Sequence, residues 1–379
     1  MLPKAPSVAV ILSGGGARAA YQVGVLKAIR GIQSATQVPF GIICGTSAGA
    51  VNAAALAVFA DDFDSGVNHL LDVWENFRVH HVYRSDIAGI AVGGAQWLAA
   101  MMLLRRSSPS SLLDNKPLAG MLSASLNFSR IQTNIDNGSL RAIAITCSGY
   151  SSGQSVSFYQ AVSDCLPWVR TQRVGCAMPI GLDHLMASSA LPFIFPAVQI
   201  NREFFGDGSM RQIAPVSPAL HLGAKKILVI GTGRQNVVPA RVHSSAYPSL
   251  AQIAGHALNS IFLDSLNVDI ERLQRINRTI SLIPESVAQQ EGLSLRRVDV
   301  MVISPTRSIE EIAAQHLSEL PRTVRFLLRG TGAMSRRGAN LASYLLFEKG
   351  FCQELIALGY RDTMDRVQEV NTFFEDGAS

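Results

Sequence analysis

Three short settings in this 379-residue chain hold residue types whose spacing could do chemistry. The first is Gly45-Thr46-Ser47-Ala48-Gly49, a GxSxG string between an apolar run and an Ala-rich stretch. On a sharp strand-to-helix turn a serine hydroxyl is presented as a nucleophile, and small neighbours let the backbone fold back on itself. The helix that follows offers unpaired N–H groups, Ala48 first, and the positive end of its dipole to an oxyanion. Taken alone, the pattern equally describes a serine capping a helix. The second setting is Ser13-Gly14-Gly15-Gly16-Ala17-Arg18. Gly14, Gly15 and Gly16 can turn successive N–H groups into one cavity, which suits an oxyanion hole or a phosphate cradle. Arg18 would support that loop or meet a substrate phosphate. The third is Phe204-Phe205-Gly206-Asp207-Gly208-Ser209, where flanking glycines would present the Asp207 carboxylate at the lip of a cleft. In contact with Ser47 it would serve as general base; otherwise Asp-Gly is a plain hairpin turn.

Two competing chemistries can be tested on the sequence. Gly14-x-Gly16-x-x-Ala19 also fits the dinucleotide fingerprint, which needs an acidic residue about 20 positions on to hold a ribose. The first Asp or Glu of the chain is Asp61, so that reading fails. A Walker A loop fails too, because no Gly-Lys-Ser/Thr follows the glycines. Among the eight histidines, His184 is the one candidate for a Ser-His-Asp triad, since it stands near a Ser-Ser pair upstream of Asp207.

These residues need a scaffold of alternating elements. Ser7 to Leu12, Phe40 to Cys44, Arg141 to Cys147, Val156 to Gln160 and Lys226 to Ile230 read as strands, with Val298 to Ser304 a further strand able to join the same sheet. Helical stretches at Ala19 to Ile32 and Ala48 to Ala60 lie between them, which predicts an α/β fold on a mostly parallel sheet. From Leu250 the chain reads as mainly helical, and that long tail offers surface for a homodimer. The expected division is a catalytic core over 1–235 and a helical C-terminal extension over 236–379.

The composition is greasy: 48% hydrophobic, 16% charged, with a net charge of +5. That excludes a disordered chain and gives no basic, aromatic-rich footprint for nucleic acid, while leaving a mild attraction to anionic lipid. Cys44, Cys147, Cys165, Cys176 and Cys352 are odd in number and scattered, which argues against a disulfide framework or zinc site and for a reducing, cytoplasmic setting. The apolar run Val8 to Leu12 breaks at once into glycines and lacks a signal-peptide cleavage pattern. Ile87 to Leu104 holds 18 residues without a charge, flanked by Arg84, Asp86 and Arg105-Arg106. It fits a buried helix, an interfacial helix or active-site lid, a membrane span or a loop, with Trp97 and the arginine pair favouring a lipid-water boundary.

A fourth string completes a pattern: Ala187-Ser188-Ser189-Ala190-Leu191-Pro192-Phe193-Ile194-Phe195-Pro196. Together the glycine loop GGGARA, the serine turn GTSAG, this A-S-x-A-x-P-x-x-F-P stretch and the GDGS box resemble, in order and spacing, the motifs of the patatin-like phospholipases. The resemblance covers about Ser7 to Ile230. It departs from the family at Ala19, where a glycine usually follows the arginine, and at Ser209, where glycine or alanine is usual. It implies a three-layer α/β/α sandwich with a mostly parallel central sheet and a helical C-terminal extension. It also implies a Ser47-Asp207 dyad with no metal or cofactor, acting on acyl esters of phospholipids or lysophospholipids at a membrane surface. An acyltransferase using the same dyad and a non-catalytic lipid-binding module are the alternatives.

Overall fold

Val8–Leu12 is buried along its whole length, as a parallel strand must be when helices cover both faces of its sheet. Its side chains alternate between two cores, with Val8, Val10 and Leu12 in one and Ala9 and Ile11 in the other. The computed structural model describes residues 7–34, 36–84, 111–234, 247–284, 295–335 and 338–375. The apolar segment 87–104 lies outside the described residues. Among those described, no helix is long and apolar enough to cross a membrane.

The described strands, in chain order, are β1 (Val8–Leu12), β2 (Ile42–Thr46), β3 (Ala142–Gly149), β4 (Ser155–Ala161), β5 (Trp168–Arg170), β6 (Arg173–Ala177), β7 (Val198–Ile200), β8 (Glu203–Asp207), β9 (Lys226–Ile230) and β10 (Asp299–Ile303). They form one sheet in the order β10-β9-β1-β2-β3-β4-β6-β5, with β8 attached to β3 and β7 to β8. From β10 through β3 every neighbouring pair is parallel; antiparallel pairing begins between β3 and β4. The fold is therefore mixed α/β with a mostly parallel central sheet and a helical C-terminal region. β5 to β8 have no counterpart among the strands expected from the sequence. They are three to five residues long and partly exposed, so they carry no continuous apolar run.

Helices α1 (Ala20–Gln33), α2 (Ala48–Val58), α3 (Leu182–Ser188), α4 (Leu250–Asn259), α5 (Ser265–Ile280), α6 (Ala339–Leu345) and α7 (Lys349–Met364) complete the scaffold of the site. α1, α2 and α7 pack on the first core, whereas Leu266, Ile270 and Leu273 of α5 enter the second. α1 and α7 approach until backbones touch. A Cβ on Gly24 would collide with the Ile356 carbonyl oxygen, and one on Gly359 with that of Tyr21. Tyr21 Oη adds a hydrogen bond to Asp362 Oδ2 at 3.0 Å. The C-terminal helices thus share the core of the sheet. The chain from Leu250 is helical as expected, with a π-helical turn, Ser260–Asp264, between α4 and α5.

Candidate active site

Ser47 and Asp207 are 160 positions apart, and β3 brings them together. One edge of β3 is taken by β4 from Ala142 to Ser148. The other edge is shared: β2 runs parallel along Ala142 to Thr146, and β8 runs antiparallel along Cys147 to Gly149. The two strands run toward each other, so their C-terminal ends meet. Thr46 stands opposite Thr146 and Asp207 opposite Cys147, consecutive positions of β3. Ser47 follows Thr46, and its Oγ donates to Asp207 Oδ2 at 2.6 Å.

The backbone at Ser47 has φ 55 and ψ −131, a left-side conformation rare for a residue with a side chain. Such a residue costs about 1–3 kcal/mol and is held only where its surroundings demand it. Gly49 is one such demand, since a Cβ there would collide with the Leu12 carbonyl oxygen. Ser188, the last residue of α3, is another. Its Oγ accepts from the Ser47 N–H at 2.9 Å and donates to the Thr146 carbonyl at 2.7 Å, tying elbow to sheet. Ser47 makes no side-chain cap bond to its helix, so the plain N-cap reading does not hold.

Asp207 is 1% exposed. Burial pushes its carboxyl up from an ordinary 3.8 to about 6, against the opposing pull of hydrogen bonds from Ser47 and Ser209. Its Oδ1 accepts from the Ser209 N–H at 2.9 Å, and its own N–H donates to the Ala190 carbonyl at 2.9 Å. The Gly-Asp-Gly string is not the tip of a hairpin. It ends β8, and the reversal between β7 and β8 falls at Asn201 and Arg202. His184 does not join the pair: its Nδ1 accepts from the Gly181 N–H at 3.0 Å and its ring meets Phe158 edge-on at 4.9 Å. Burial holds its pKa below the ordinary imidazole range.

The glycine loop lies between β1 and α1, beside the elbow. Gly16 and Ala48 line the same cavity as Ser47 and Asp207, whereas Gly14 and Gly15 do not line it. Gly16 has φ +55, and a Cβ on it would collide with the Tyr344 carbonyl oxygen. The Gly14 carbonyl accepts from Thr232 Oγ1 at 2.7 Å, and that of Gly15 from the Arg18 N–H at 3.2 Å. Arg18 is fully buried. Its guanidinium donates to Ser343 Oγ at 2.8 Å and Asn340 Oδ1 at 2.6 Å, pairs with Glu310 at 3.1 Å and lies 4.0 Å over the Tyr344 ring. Of its two suggested roles, these contacts are those of a loop support.

The walls of the cavity are apolar apart from Ser47, Asp207, Ser189 and Tyr344. Val51, Trp74, Phe77, Val82, Leu118, Leu191 and Phe195 contribute apolar surface. Phe262, Tyr344, Leu345 and Phe347 add to it from the C-terminal region, where the sequence offered no site. Phe262 sits in the π-helical turn and stacks on Tyr344, ring centroids 5.2 Å apart. A π turn inside a helix marks functional positions often enough to be a clue, but nothing in the string Ser-Ile-Phe-Leu-Asp announces one.

A hydroxyl bonded to a buried carboxylate at the end of an apolar crevice can perform acyl transfer on a hydrophobic ester. The sequence profile of the patatin-like phospholipases matches residues 10–220. The chain belongs to the patatin-like phospholipase family. Membership supports lipid acyl-hydrolase activity in general. No curated protein sequence matches the chain. Among solved structures, VipD from Legionella pneumophila is similar at 13% identity, covering 91% of this chain and 67% of that one, with a TM-score of 0.32. Human GIVD cytosolic phospholipase A2, solved with methyl gamma-linolenyl fluorophosphonate, is similar at 12% identity over 98% of this chain and 60% of that one, TM-score 0.41. The type III effector ExoU is similar at 16% identity over 91% and 79%, TM-score 0.23.

Proposed function

We propose that this patatin-like chain hydrolyses acyl esters of phospholipids or lysophospholipids, with Ser47 as nucleophile and Asp207 as its base. The observation that carries the reading is the 2.6 Å hydrogen bond from Ser47 Oγ to Asp207 Oδ2 at the wall of an apolar cavity. Asp207 takes the hydroxyl proton as Oγ attacks the ester carbonyl, then passes it to the departing alcohol oxygen. The oxyanion is received by N–H groups of the glycine loop, Gly16 foremost with Gly14 and Gly15 shaping the turn, and by Ala48 at the start of α2. Water repeats the sequence in reverse on the acyl-serine, and no metal or cofactor takes part.

The partner surface is lipid. Leu191 and Phe195 line the cavity while Phe193, between them, is 75% exposed. The Ile194 N–H donates to the Leu191 carbonyl at 3.1 Å, closing a turn with Pro192 second and Phe193, at φ 67, third. That third place favours glycine, so a phenylalanine held there in water supports an aromatic anchor beside the cavity, dipping into the interface that supplies the acyl chain.

A fluorophosphonate probe tests the reaction. Wild type is expected to label at Ser47 and to release fatty acid from phospholipid vesicles, with Ser47→Ala losing both. A wild-type protein that neither labels nor releases acid ends the hydrolase reading.

A further inference from the structure

A chain of buried amides links the elbow to the glycine loop. Asn52 stands on α2, the helix that leaves Ser47, and Gln22 on α1, the helix that leaves the loop; both are fully buried. Trp74, on the cavity wall, sets the direction of the chain. An indole N–H can only donate, and it donates to Asn52 Oδ1 at 2.8 Å. The Asn52 amide nitrogen therefore faces the other way, donating to Gln22 Oε1 at 2.9 Å and to the Ala19 carbonyl at 3.2 Å. Gln22 Nε2 in turn donates to the Ser13 carbonyl at 2.8 Å and to the Ile230 carbonyl at 3.5 Å. Every polar atom of the two amides is bonded. Such amides carry a desolvation cost that an apolar pair of the same shape avoids, and what a fully bonded network adds is one fixed arrangement.

Ser13 precedes the three glycines and Ala19 follows Arg18, so the two amides clasp the glycine loop at its entry and its exit. A carbonyl and the N–H of the next residue are opposite edges of one planar trans peptide, and a hold on the carbonyl also orients the N–H. The Ser13 carbonyl is held by Gln22, that of Gly14 by Thr232 and that of Gly15 by the Arg18 N–H. The N–H groups of Gly14, Gly15 and Gly16 are oriented with them. Loop and elbow also bear on each other directly, since a Cβ on Gly49 would collide with the Leu12 and Ser13 carbonyl oxygens. Asn52, bonded to both the loop and Gln22, makes the clasp part of the helix that begins at the nucleophile.

Resting on the Ser47-Asp207 reading, we propose that Gln22 and Asn52 are positioning residues for the reaction, holding the oxyanion donors of the glycine loop in register with Ser47. They act through the Ser13 and Ala19 carbonyls and touch no substrate.

The test compares wild type with Gln22→Met and Asn52→Asp. Gln22→Met keeps the length of the side chain and releases the Ser13 carbonyl. Asn52→Asp keeps the shape and an acceptor for Trp74, but a carboxylate cannot donate to Ala19. Gln22 must then turn its own amide nitrogen toward the carboxylate, which sets Oε1 against the Ser13 carbonyl. In either variant kcat for an alkyl ester is expected to fall about 10- to 100-fold with KM unchanged, the cost of donors displaced by up to an ångström from a developing charge. The rate of phosphonylation by a fluorophosphonate should fall in step, because its phosphoryl oxygen occupies the oxyanion position. The phosphorus resonance of the labelled Ser47 should move as well, a change that loss of stability alone would not produce. Wild-type kcat in folded, labelled Gln22→Met overturns the proposal. So does a loss confined to KM or to thermal stability, and so does failure of both variants to fold, which would assign the amides to the fold itself. Failure of the wild type to label sinks the Ser47-Asp207 reading beneath it, and this inference with it.

Discussion

Between residues 7 and 234 the polar side chains of the candidate site arrive in motif strings; between 247 and 375 only wall residues arrive, and no motif marks them. Ser47, Ser188 and Asp207 each sit in a run of small residues and turns whose order is legible along the chain. Phe262, Tyr344 and Leu345 line the same cavity from helical turns whose spacing resembles any buried helix, and Phe347 from the link between α6 and α7. The difference follows from what each region must achieve. A reacting oxygen has to be placed within a few tenths of an ångström, and only certain residues permit the backbone turns that do so. A cavity wall has to exclude water and match a hydrocarbon chain, which many combinations of large apolar residues accomplish.

The sharpest way to break the comparison is at Asp207. Asp207→Asn keeps the shape and loses the base, so kcat is expected to fall roughly 10³- to 10⁴-fold. In wild type, kcat/KM should climb with pH through about 6, because the carboxylate must be ionised. Stability should move the other way. The folded state keeps the Asp207 proton up to about pH 6 while the unfolded chain releases it near 3.8, so the stabilisation present below this window is lost as pH rises through it. Asn mimics the neutral acid, and thermal unfolding should show Asp207→Asn more stable than wild type at neutral pH, with the gap closing in acid. A variant less stable than wild type at neutral pH would mean that the buried charge is not the cost claimed.

Phe262→Ala probes the other region. Removing a ring that is 5% exposed and stacked on Tyr344 is expected to cost about 3 kcal/mol of stability in denaturant unfolding. It should lower kcat/KM for long acyl chains about tenfold while sparing short ones, because the loss is wall rather than chemistry. Equal losses for short and long esters would erase the distinction between the two regions. The smallest effect belongs to His184→Leu. The lost acceptor for the Gly181 N–H should cost about 1 kcal/mol, with turnover and the acid limb of the pH profile unchanged. Displacement of that limb would put the imidazole back into proton transfer.

β1, β2, β3 and β9 were readable because strands buried on both faces hold apolar runs, and β4 from its β-branched and aromatic residues; the boundaries of all five shifted by no more than two residues. β5 to β8 were not, because short edge strands mix exposed and buried positions. Asp207 was picked out by its glycines, but the short strand that carries it, β8, was not. What decides its position is the length of β3 left uncovered by β2, a property of neither segment alone.

By itself the sequence determined the alternating α/β scaffold, the family and the order of its motifs, because hydrophobic period and small-residue turns are local constraints written in consecutive positions. The meeting of Ser47 with Asp207, the burial of Arg18 against Asn340 and Ser343, and the aromatic wall from Phe262 to Phe347 were decided only in three dimensions. They depend on which strand ends abut and which helices fill the remaining space, and such long-range packing leaves no pattern along the chain.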